Sequence, residues 1–250
     1  MVSVKVRNVK AFKEAIDAIS GLIEEGIFKF DSEGVTLRAM DPSQISMVYF
    51  SAPKSEFAEY DVSEQVNIGL TISDLSKVLG RAVLEKAENL TIENKDNLLE
   101  LTLKSNDKSS KFMLPILDIS QTVTGDPKVT ESASVKLIAV SLKNALKNSE
   151  LASTYVTFIT KNDTFAIESK GDLSQYKVEY KKSSPDIAEI ICRSESAKTT
   201  YPLQYLLDIM NGAPDSAATV IKYASNGVLK ISYEIAFGSV QFYLAPIREE

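Results

Sequence analysis

The chain has 250 residues, of which 44% are hydrophobic and 25% are charged, and its formal net charge is −6. This length accommodates one large or two medium-sized domains, and the composition is not that of a disordered chain. A net negative charge repels nucleic acid unless basic residues are gathered on one surface. Composition alone therefore argues against DNA binding, and only the placement of the basic residues can reverse that expectation.

The rarest residue types narrow the chemistry that the chain can perform. The sequence has no histidine and no tryptophan, and its one cysteine is Cys192, which we expect to be buried as a small apolar residue. Without histidine no Ser–His or Cys–His pair can form, and a single cysteine builds neither an intramolecular disulfide nor a zinc site of the usual spacing. Phosphate-loop, dinucleotide-binding and nucleophile-elbow motifs are also missing. We predict a protein that is not an enzyme, with no catalytic residue, cofactor or metal; a magnesium site assembled from carboxylates distant in sequence stays open.

The beginning of the chain and its apolar runs bear on location. Residues 1–6 lack the pattern of a signal peptide. No apolar run approaches the roughly 20 residues that a membrane-spanning helix requires. We expect an intracellular protein that does not contact a membrane.

The first half of the chain alternates helical patterns with short β-rich runs. Apolar residues from Val9 to Ile19 recur at helical spacing and predict a helix with one buried face. A second helix of the same kind is predicted from Ile72 to Leu79, with Thr71 as its N-cap. Strands are predicted at residues 35–39, 46–51 and 99–104.

The second half repeats this alternation. A third helix is predicted from Leu142 to Ser149, with Ser141 as its N-cap. A fourth is predicted from Leu203 to Met210, with Pro202 as its first residue. Strands are predicted at residues 156–160 and 165–168.

Comparison of the chain with itself indicates an internal duplication. Four segments recur in the same order and at almost the same offset in numbering (142 − 12 = 228 − 98 = 242 − 112 = 130, and 203 − 72 = 131). The pairs are Phe12–Ile16 with Leu142–Leu146, Ile72–Leu79 with Leu203–Met210, Leu98–Leu103 with Val228–Tyr233, and Phe112–Ile116 with Phe242–Ile247. We predict two copies of one α+β domain, residues 1–116 and 135–250, each with antiparallel sheets and two short helices. Residues 117–134, which contain Gly125 and Pro127, are the predicted connector.

The polar faces of the predicted helices carry positive charge. Basic residues three or four positions apart share one face of a helix, and three of the four helices have such a pair. Together the helices hold six basic and five acidic residues, whereas the whole chain has a net charge of −6. The basic residues, which we predict to face DNA, are Lys10, Lys13, Lys77, Arg81, Lys143 and Lys147.

Two interpretations of these basic pairs are open. If the copies are arranged around an axis with the helices inward, the basic faces line the opening and contact phosphates without reading bases. Alternatively, they are ordinary solvated helix faces. The fourth helix has no basic residue, so a lining of this kind would be uneven.

One stretch of sequence is more specific than any of these patterns. Residues Gly34–Val48 (GVTLRAMDPSQISMV), together with Phe57–Tyr60, Leu75–Leu79 and the ending Phe242–Ile247, resemble the proliferating-cell-nuclear-antigen family of archaeal and eukaryotic DNA sliding clamps. The resemblance covers nearly the whole chain. It implies the DNA clamp fold, in which two similar α+β domains per subunit assemble into a trimeric ring around duplex DNA, with helices lining the hole.

The resemblance also implies how the ring closes. In this family the edge strands of neighbouring subunits pair, and the corresponding segments here are residues 109–114 and 176–181. An exposed strand edge is otherwise an aggregation hazard, so this use of it is physically reasonable. The residues implied at the subunit interface are Ser110, Lys111, Phe112, Met113, Tyr176, Val178 and Tyr180.

A groove for partner peptides is the third site that the resemblance implies. It lies between the connector and the second domain and takes a short peptide with a glutamine, an aliphatic residue and paired aromatics. The matching positions are Met40, Gln44, Ile45, Ile119, Val123, Val228, Tyr243, Ala245 and Pro246. Gln44 stands where eukaryotic members often have histidine and Val228 where proline is common, so the peptide preference stays open.

The partners that the resemblance implies are double-stranded DNA, two further clamp subunits, a clamp loader, DNA polymerase, flap endonuclease and DNA ligase. Whether the trimer contains three copies of this chain or different subunits is open. The absence of a basic localisation cluster favours an archaeal, hence cytoplasmic, protein over a nuclear eukaryotic one. Two other functions are weighed against the clamp: an α+β protein-interaction module that does not encircle DNA, and an unrecognised nuclease or transferase.

Overall fold

The computed structural model describes residues 1–105, 108–120, 123 and 125–247. The chain divides into two compact units. The first comprises Met1–Gln44, Val48–Thr124 and Ile235–Val240, and the second comprises Ile45–Met47, Gly125–Glu234 and Gln241–Glu250. Each unit therefore includes a short segment that is distant in sequence from the rest of it.

The first unit is built from two antiparallel strand layers and two helices. Its strand orders are β5-β1-β7-β8-β9 and β4-β3-β2-β6. The helices are α1 (Val9–Ser20) and α2 (Ile72–Leu84), and a short 3₁₀ helix spans Lys54–Glu56. The strands are β1 (Val2–Val6), β2 (Glu25–Asp31), β3 (Gly34–Met40), β4 (Ser46–Pro53), β5 (Phe57–Val62), β6 (Val66–Thr71), β7 (Asn89–Lys95), β8 (Leu98–Ser105) and β9 (Lys108–Pro115).

The second unit repeats this arrangement. Its strand orders are β14-β10-β16-β17-β18 and β13-β12-β11-β15. The helices are α3 (Ala139–Glu150) and α4 (Leu203–Asn211). The strands are β10 (Ala133–Ile138), β11 (Tyr155–Lys161), β12 (Thr164–Lys170), β13 (Gln175–Lys181), β14 (Ile187–Cys192), β15 (Ala197–Pro202), β16 (Ala218–Tyr223), β17 (Leu229–Ile235) and β18 (Gly238–Leu244).

The two units correspond element by element. The order from β1 to β9, with α1 after the first strand and α2 after the sixth, recurs from β10 to β18 with α3 and α4 at the same places. The strand orders also match when each strand is replaced by its counterpart. In this correspondence β13 is the counterpart of β4, and β18 is the counterpart of β9. The α+β class with antiparallel sheets and two helices in each half is as predicted.

The helices bury the apolar faces that the sequence indicates. In α1 the side chains of Phe12, Ile16 and Ile19 are buried, and Leu75 and Leu79 are buried in α2. Aromatic rings complete each core: in the first unit the rings of Phe12 and Phe237 have centroids 4.9 Å apart. In the second unit Phe158 contacts Phe165, Tyr201 and Tyr223.

The predicted helix starts need correction. The N-cap of α1 is Asn8, whose side chain accepts a hydrogen bond from the Ala11 N–H at 3.0 Å. Thr71 does occupy the N-cap position of α2, but its side chain makes no capping hydrogen bond. Ser141 is not the cap of α3, which begins at Ala139. Pro202 is the N-cap of α4 and not its first residue.

Tertiary hydrogen bonds explain why side-chain caps are dispensable here. The strand before each of these helices runs directly into it, and the first helical N–H groups donate to carbonyls of nearby loops. Ile72 donates to Glu24 at 2.8 Å, Ala139 to Ala217 at 2.9 Å, and Leu203 to Thr154 at 2.9 Å. A free helical N–H that finds such a carbonyl needs no Ser or Thr side chain.

Two further observations concern single features of the fold. Cys192 is half-buried and not fully buried as expected, because β14 is the outer strand of its layer; its sulfur lies 3.4 Å from the Thr160 carbonyl oxygen. Within the described part of the chain, no helix combines the length and the apolar character that crossing a membrane requires.

Candidate functional site

The basic residues of α1 and α2 lie on the surface of the first unit, but acidic neighbours neutralise most of them. Lys10 lies 3.8 Å from Glu14, and Lys13 forms an ion pair with Asp17. These are i,i+4 pairs on an exposed helix face, which stabilise a helix by a few tenths of a kcal/mol each. The helix charge available to a distant phosphate is therefore smaller than the sequence count indicates.

In α2 the two basic residues differ. Lys77 lies 2.8 Å from Asp74, one turn earlier. Arg81 is exposed and forms no ion pair with another described residue. Asp17 of α1 also accepts a hydrogen bond from the Ser76 hydroxyl at 2.8 Å, which links the two helices. Arg81 is thus the freest positive charge on the helices of this unit.

In the second unit Lys143 and Lys147 have different surroundings. The side chain of Lys143 is only 18% exposed and lies 2.8 Å from Asp215, and its ammonium also donates to the Ala213 carbonyl. The hydrogen bond from Lys143, followed by its charge, lowers the pKa of the Asp215 carboxyl. Lys147 is exposed. The structure therefore gives Lys143 a contact that holds α3 to the turn before β16, a role that the sequence pattern did not reveal.

Four of the predicted groove residues meet in the first unit. Met40, Gln44, Ile119 and Val123 line one cavity of about 220 Å³. The connector segment that contributes Ile119 begins at Leu117, whose N–H donates to the Gly69 carbonyl of β6 at 2.9 Å. This cavity is also lined by residues that the sequence did not indicate: Glu24, Glu25, Arg38, Ala39, Asp41 and Pro42. No local pattern marks them, because they come from three separate turns and strands.

The other predicted groove residues lie in the second unit. Ile45 is exposed, and its carbonyl accepts a hydrogen bond from the Ala245 N–H at 2.9 Å. Tyr243 is buried, with the Lys230 ammonium 5.3 Å from the centre of its ring. Val228 and Pro246 are half-buried. Each unit thus presents its own group of predicted groove residues.

The two segments predicted at the subunit interface are both outer strands of their layers. β9 has β8 as its neighbour at one edge, and β13 has β12. On β9 Ser110 and Phe112 are half-buried while Lys111 and Met113 are exposed. On β13 the half-buried residues are Tyr176, Val178 and Tyr180. Backbone N–H and C=O groups at such edges can pair with another strand.

Within the described residues, no three His, Cys, Asp or Glu side chains are grouped so that they could hold a metal ion.

Comparison with solved structures assigns the fold. The chain superposes on the crystal structure of PCNA, the proliferating cell nuclear antigen, from Thermococcus kodakaraensis with a TM-score of 0.89, at 23% identity over 99% of this chain and 100% of that one. It superposes on A. fulgidus PCNA, solved with the C-terminal region of FEN-1, with a TM-score of 0.88 at 21% identity over 100% of both chains. The class of protein is therefore that of the DNA clamp fold.

Sequence relatives identify the family. A model of the proliferating cell nuclear antigen N-terminal domain matches residues 1–123. DNA polymerase sliding clamp 1 of Thermococcus kodakarensis is 30% identical over 244 residues, which cover 96% of each chain. The DNA polymerase sliding clamp of Methanococcus maripaludis is 31% identical over 242 residues, again 96% of each. The chain belongs to the proliferating-cell-nuclear-antigen family of DNA polymerase sliding clamps.

This membership bears on two earlier expectations. Sliding clamps are processivity factors without an enzymatic activity of their own, which agrees with the prediction that the chain is not an enzyme. They act in DNA replication, so the protein is intracellular.

Proposed function

We propose that this chain is a subunit of a trimeric ring that encircles duplex DNA and holds DNA polymerase on its template. The observation that carries the proposal is the pair of free strand edges: β9 is the outer strand in the first unit and β13 in the second. Pairing of β9 with β13 of another subunit would satisfy both edges, and repetition of that pairing closes a ring. The protein would act in the cytoplasm of an archaeon.

The basic residues of the helices support the DNA-facing part of the proposal. Lys10, Lys77, Arg81 and Lys147 are all exposed. Their charge is weak because several have acidic neighbours, and weak contact with phosphates suits a protein that must slide. We propose that Lys13 and Lys143, which are less exposed, contribute mainly to helix packing and only secondarily to DNA contact.

The cavity beside the connector supports a tethering role. The relative from A. fulgidus was solved with the C-terminal region of FEN-1 bound. We infer that here a short peptide from flap endonuclease, DNA polymerase or DNA ligase uses the predicted groove, which includes Met40 and Ile119. A clamp loader would open the ring onto DNA.

Topological retention tests the proposal. The protein is loaded on closed circular DNA by the clamp loader with ATP, and the complex is isolated by gel filtration before and after the DNA is cut once. A clamp stays on the circle and is lost through the ends of the linear form. Equal retention on both forms would instead support the protein-interaction module that does not encircle DNA.

A further inference from the structure

The chain contains its own template for the pairing of its two free edges. In the first unit Gly238 lies against β4, since a Cβ on it would be 2.9 Å from the Cα of Ala52. In the second unit the Ala245 N–H donates to the Ile45 carbonyl. Both contacts fit one antiparallel register, because their spacing is the same on each strand (52 − 45 = 245 − 238). β4 and the strand that begins at Gly238 are the counterparts of β13 and β9.

Equivalent positions transfer this register to the free edges. The Lys54 N–H donates to the Glu33 carbonyl at 2.9 Å, and the Lys182 N–H donates to the Asp163 carbonyl at 2.8 Å. The numbering of β4 therefore maps onto that of β13 with a shift of 182 − 54 = 128. β18 and β9 each begin three residues after the preceding strand ends, and their first residues, Gly238 and Lys108, give a shift of 238 − 108 = 130.

In the transferred register Tyr176 lies opposite Phe112 of a second copy, and Glu179 lies opposite Ser109. Burial supports this alignment. The half-buried residues Tyr176 and Val178 of β13 come to lie opposite Phe112 and Ser110, which are half-buried on β9. A slip of one residue would set these side chains against exposed ones and turn one strand inside out.

The half-buried side of the pairing is apolar. Phe112 lines a cavity of about 390 Å³ together with Val78 and Leu84 of the first unit. Leu84 is 75% exposed in the single chain. Tyr176 of the second copy, opposite Phe112, would cover this cavity and bury an aromatic surface that is otherwise wet.

The exposed side of the pairing is complementary in charge. Glu179 and Lys104 are both exposed, and neither forms an ion pair with another described residue. Lys104 lies opposite Ser109 in the β8–β9 pair. Ser109 would therefore lie between Lys104 and the second copy's Glu179, and its short side chain lets the two charges meet above it. Lys111, diagonal to Glu179, adds a second positive charge within reach.

One like-charged pair also results, since Lys177 would lie opposite Lys111. Each of these lysines already has a carboxylate of its own chain. Lys177 lies 2.5 Å from Glu168, and Lys111 lies 2.9 Å from Glu100. Their charges are thus compensated before the strands meet.

We propose that the free edges of this chain are complementary to each other in this one register, so that the ring is made of identical subunits. The inference rests on the proposed function, because it concerns how the proposed ring closes. Its occupant for each edge is a second copy of this chain, and its key contacts are Tyr176 on Phe112 and Glu179 between Lys104 and Lys111.

Disulfide cross-linking tests the register. In a Cys192→Ser background, the pair Ser109→Cys with Glu179→Cys should give covalently linked oligomers on mild oxidation, because directly opposite residues lie within disulfide distance. The pair Lys111→Cys with Glu179→Cys, which reports a slip of two residues, is the matched control and should stay unlinked. Cross-linking of the control pair alone, or of neither pair in a protein that still assembles, overturns the register.

Charge exchange tests the self-complementarity by sedimentation of the purified chain at micromolar concentration. The wild type should be a trimer; Glu179→Lys should weaken each contact roughly fivefold, and Glu179→Lys with Lys104→Glu should recover most of the loss. Glu189→Lys, on the exposed β14 strand, is the control and should assemble normally. A monomeric wild type overturns the inference. A trimer that leaves circular and linear DNA equally would instead refute the proposed function and leave the pairing intact.

Discussion

At Gly69 the connector begins against β6 with no room for a side chain. A Cβ at this position would lie 2.3 Å from the Leu117 carbonyl oxygen, and the Leu117 N–H donates to Gly69. We expect Gly69→Ala to push the connector away and to cost about 1–3 kcal/mol of unfolding free energy, since a buried bridge is lost. Urea unfolding measures this, and peptide binding to the predicted groove should weaken in parallel.

Gly80 is the matched control for that substitution. It lies within α2, and a Cβ there would meet only the Lys13 side chain, at 3.5 Å. Gly80→Ala should stabilise the protein by about 0.5–1 kcal/mol, because alanine restricts the unfolded chain and favours the helix. If both substitutions shift the urea midpoint alike, the close approach at Gly69 has no special importance.

Tyrosines with raised pKa values predict loss of stability in alkali. Burial, and then the charge of Asp31, raise the pKa of Tyr60 to about 12; burial likewise raises the pKa of Tyr180 to about 12. An unfolded tyrosine ionises near pH 10. The stability that these phenols contribute is therefore complete below pH 10 and is lost as the pH rises to about 12.

The measurement is urea unfolding at a series of pH values from neutral to alkaline. Tyr60→Phe with Tyr180→Phe should flatten the alkaline loss in this window. Tyr155→Phe, at a phenol that is 52% exposed, is the control and should follow the wild type. An unchanged slope in the double variant would contradict the assignment.

At the scale of single elements, the helices were predictable and their beginnings were not. The spacing of Phe12, Ile16 and Ile19 fixes a helical face, because burial of that face is a local pattern. The start of α3 depends instead on the Ala217 carbonyl, which lies far away in the sequence and meets the Ala139 N–H only after folding. The same reason hid Glu24, Arg38 and Asp41 among the lining residues of the connector cavity.

Lys143 and Lys147 give a prediction about α3. The sequence pattern treats them alike, but only Lys143 donates to the Ala213 carbonyl and pairs with Asp215. We expect Lys143→Met to cost about 1 kcal/mol, since a charged donor to a carbonyl is removed. Lys147→Met should change the unfolding free energy by less than about 0.5 kcal/mol. Thermal unfolding of the two variants decides, and equal effects would refute the packing role of Lys143.

At the scale of the whole molecule, the sequence was sufficient for the duplication, and its family resemblance was sufficient for the two free edges. Nearly constant offsets mark the repeat, and the order of elements in the two units follows it. The register between the edges was not accessible, because β4 maps onto β13 with a smaller shift than the one that relates the recurring segments. That difference follows from the hydrogen bonds of Lys54 and Lys182, which no sequence pattern reports.

The net charge of −6 sets the expectation for DNA affinity. Only a few exposed helix cations offset the repulsion, so binding of the unloaded protein to short linear duplex should be weak and steeply salt-dependent. Each phosphate contact contributes about 0.9 to the slope of log K against log salt concentration. Removing Arg81 and Lys147 together, as Arg81→Gln with Lys147→Gln, should reduce that slope by about 2 for each subunit in contact.

Fluorescence anisotropy of a labelled duplex over a series of salt concentrations measures that slope. Lys143→Gln is the matched control, because the ammonium of Lys143 is engaged by Ala213 and Asp215 within its own unit. The control should keep the wild-type slope, whereas the double variant should show a shallower one. If the control lowers the slope as much as the double variant does, the free charge of Arg81 and Lys147 is not what attracts the phosphates, and the helices of both units contribute through all their lysines alike.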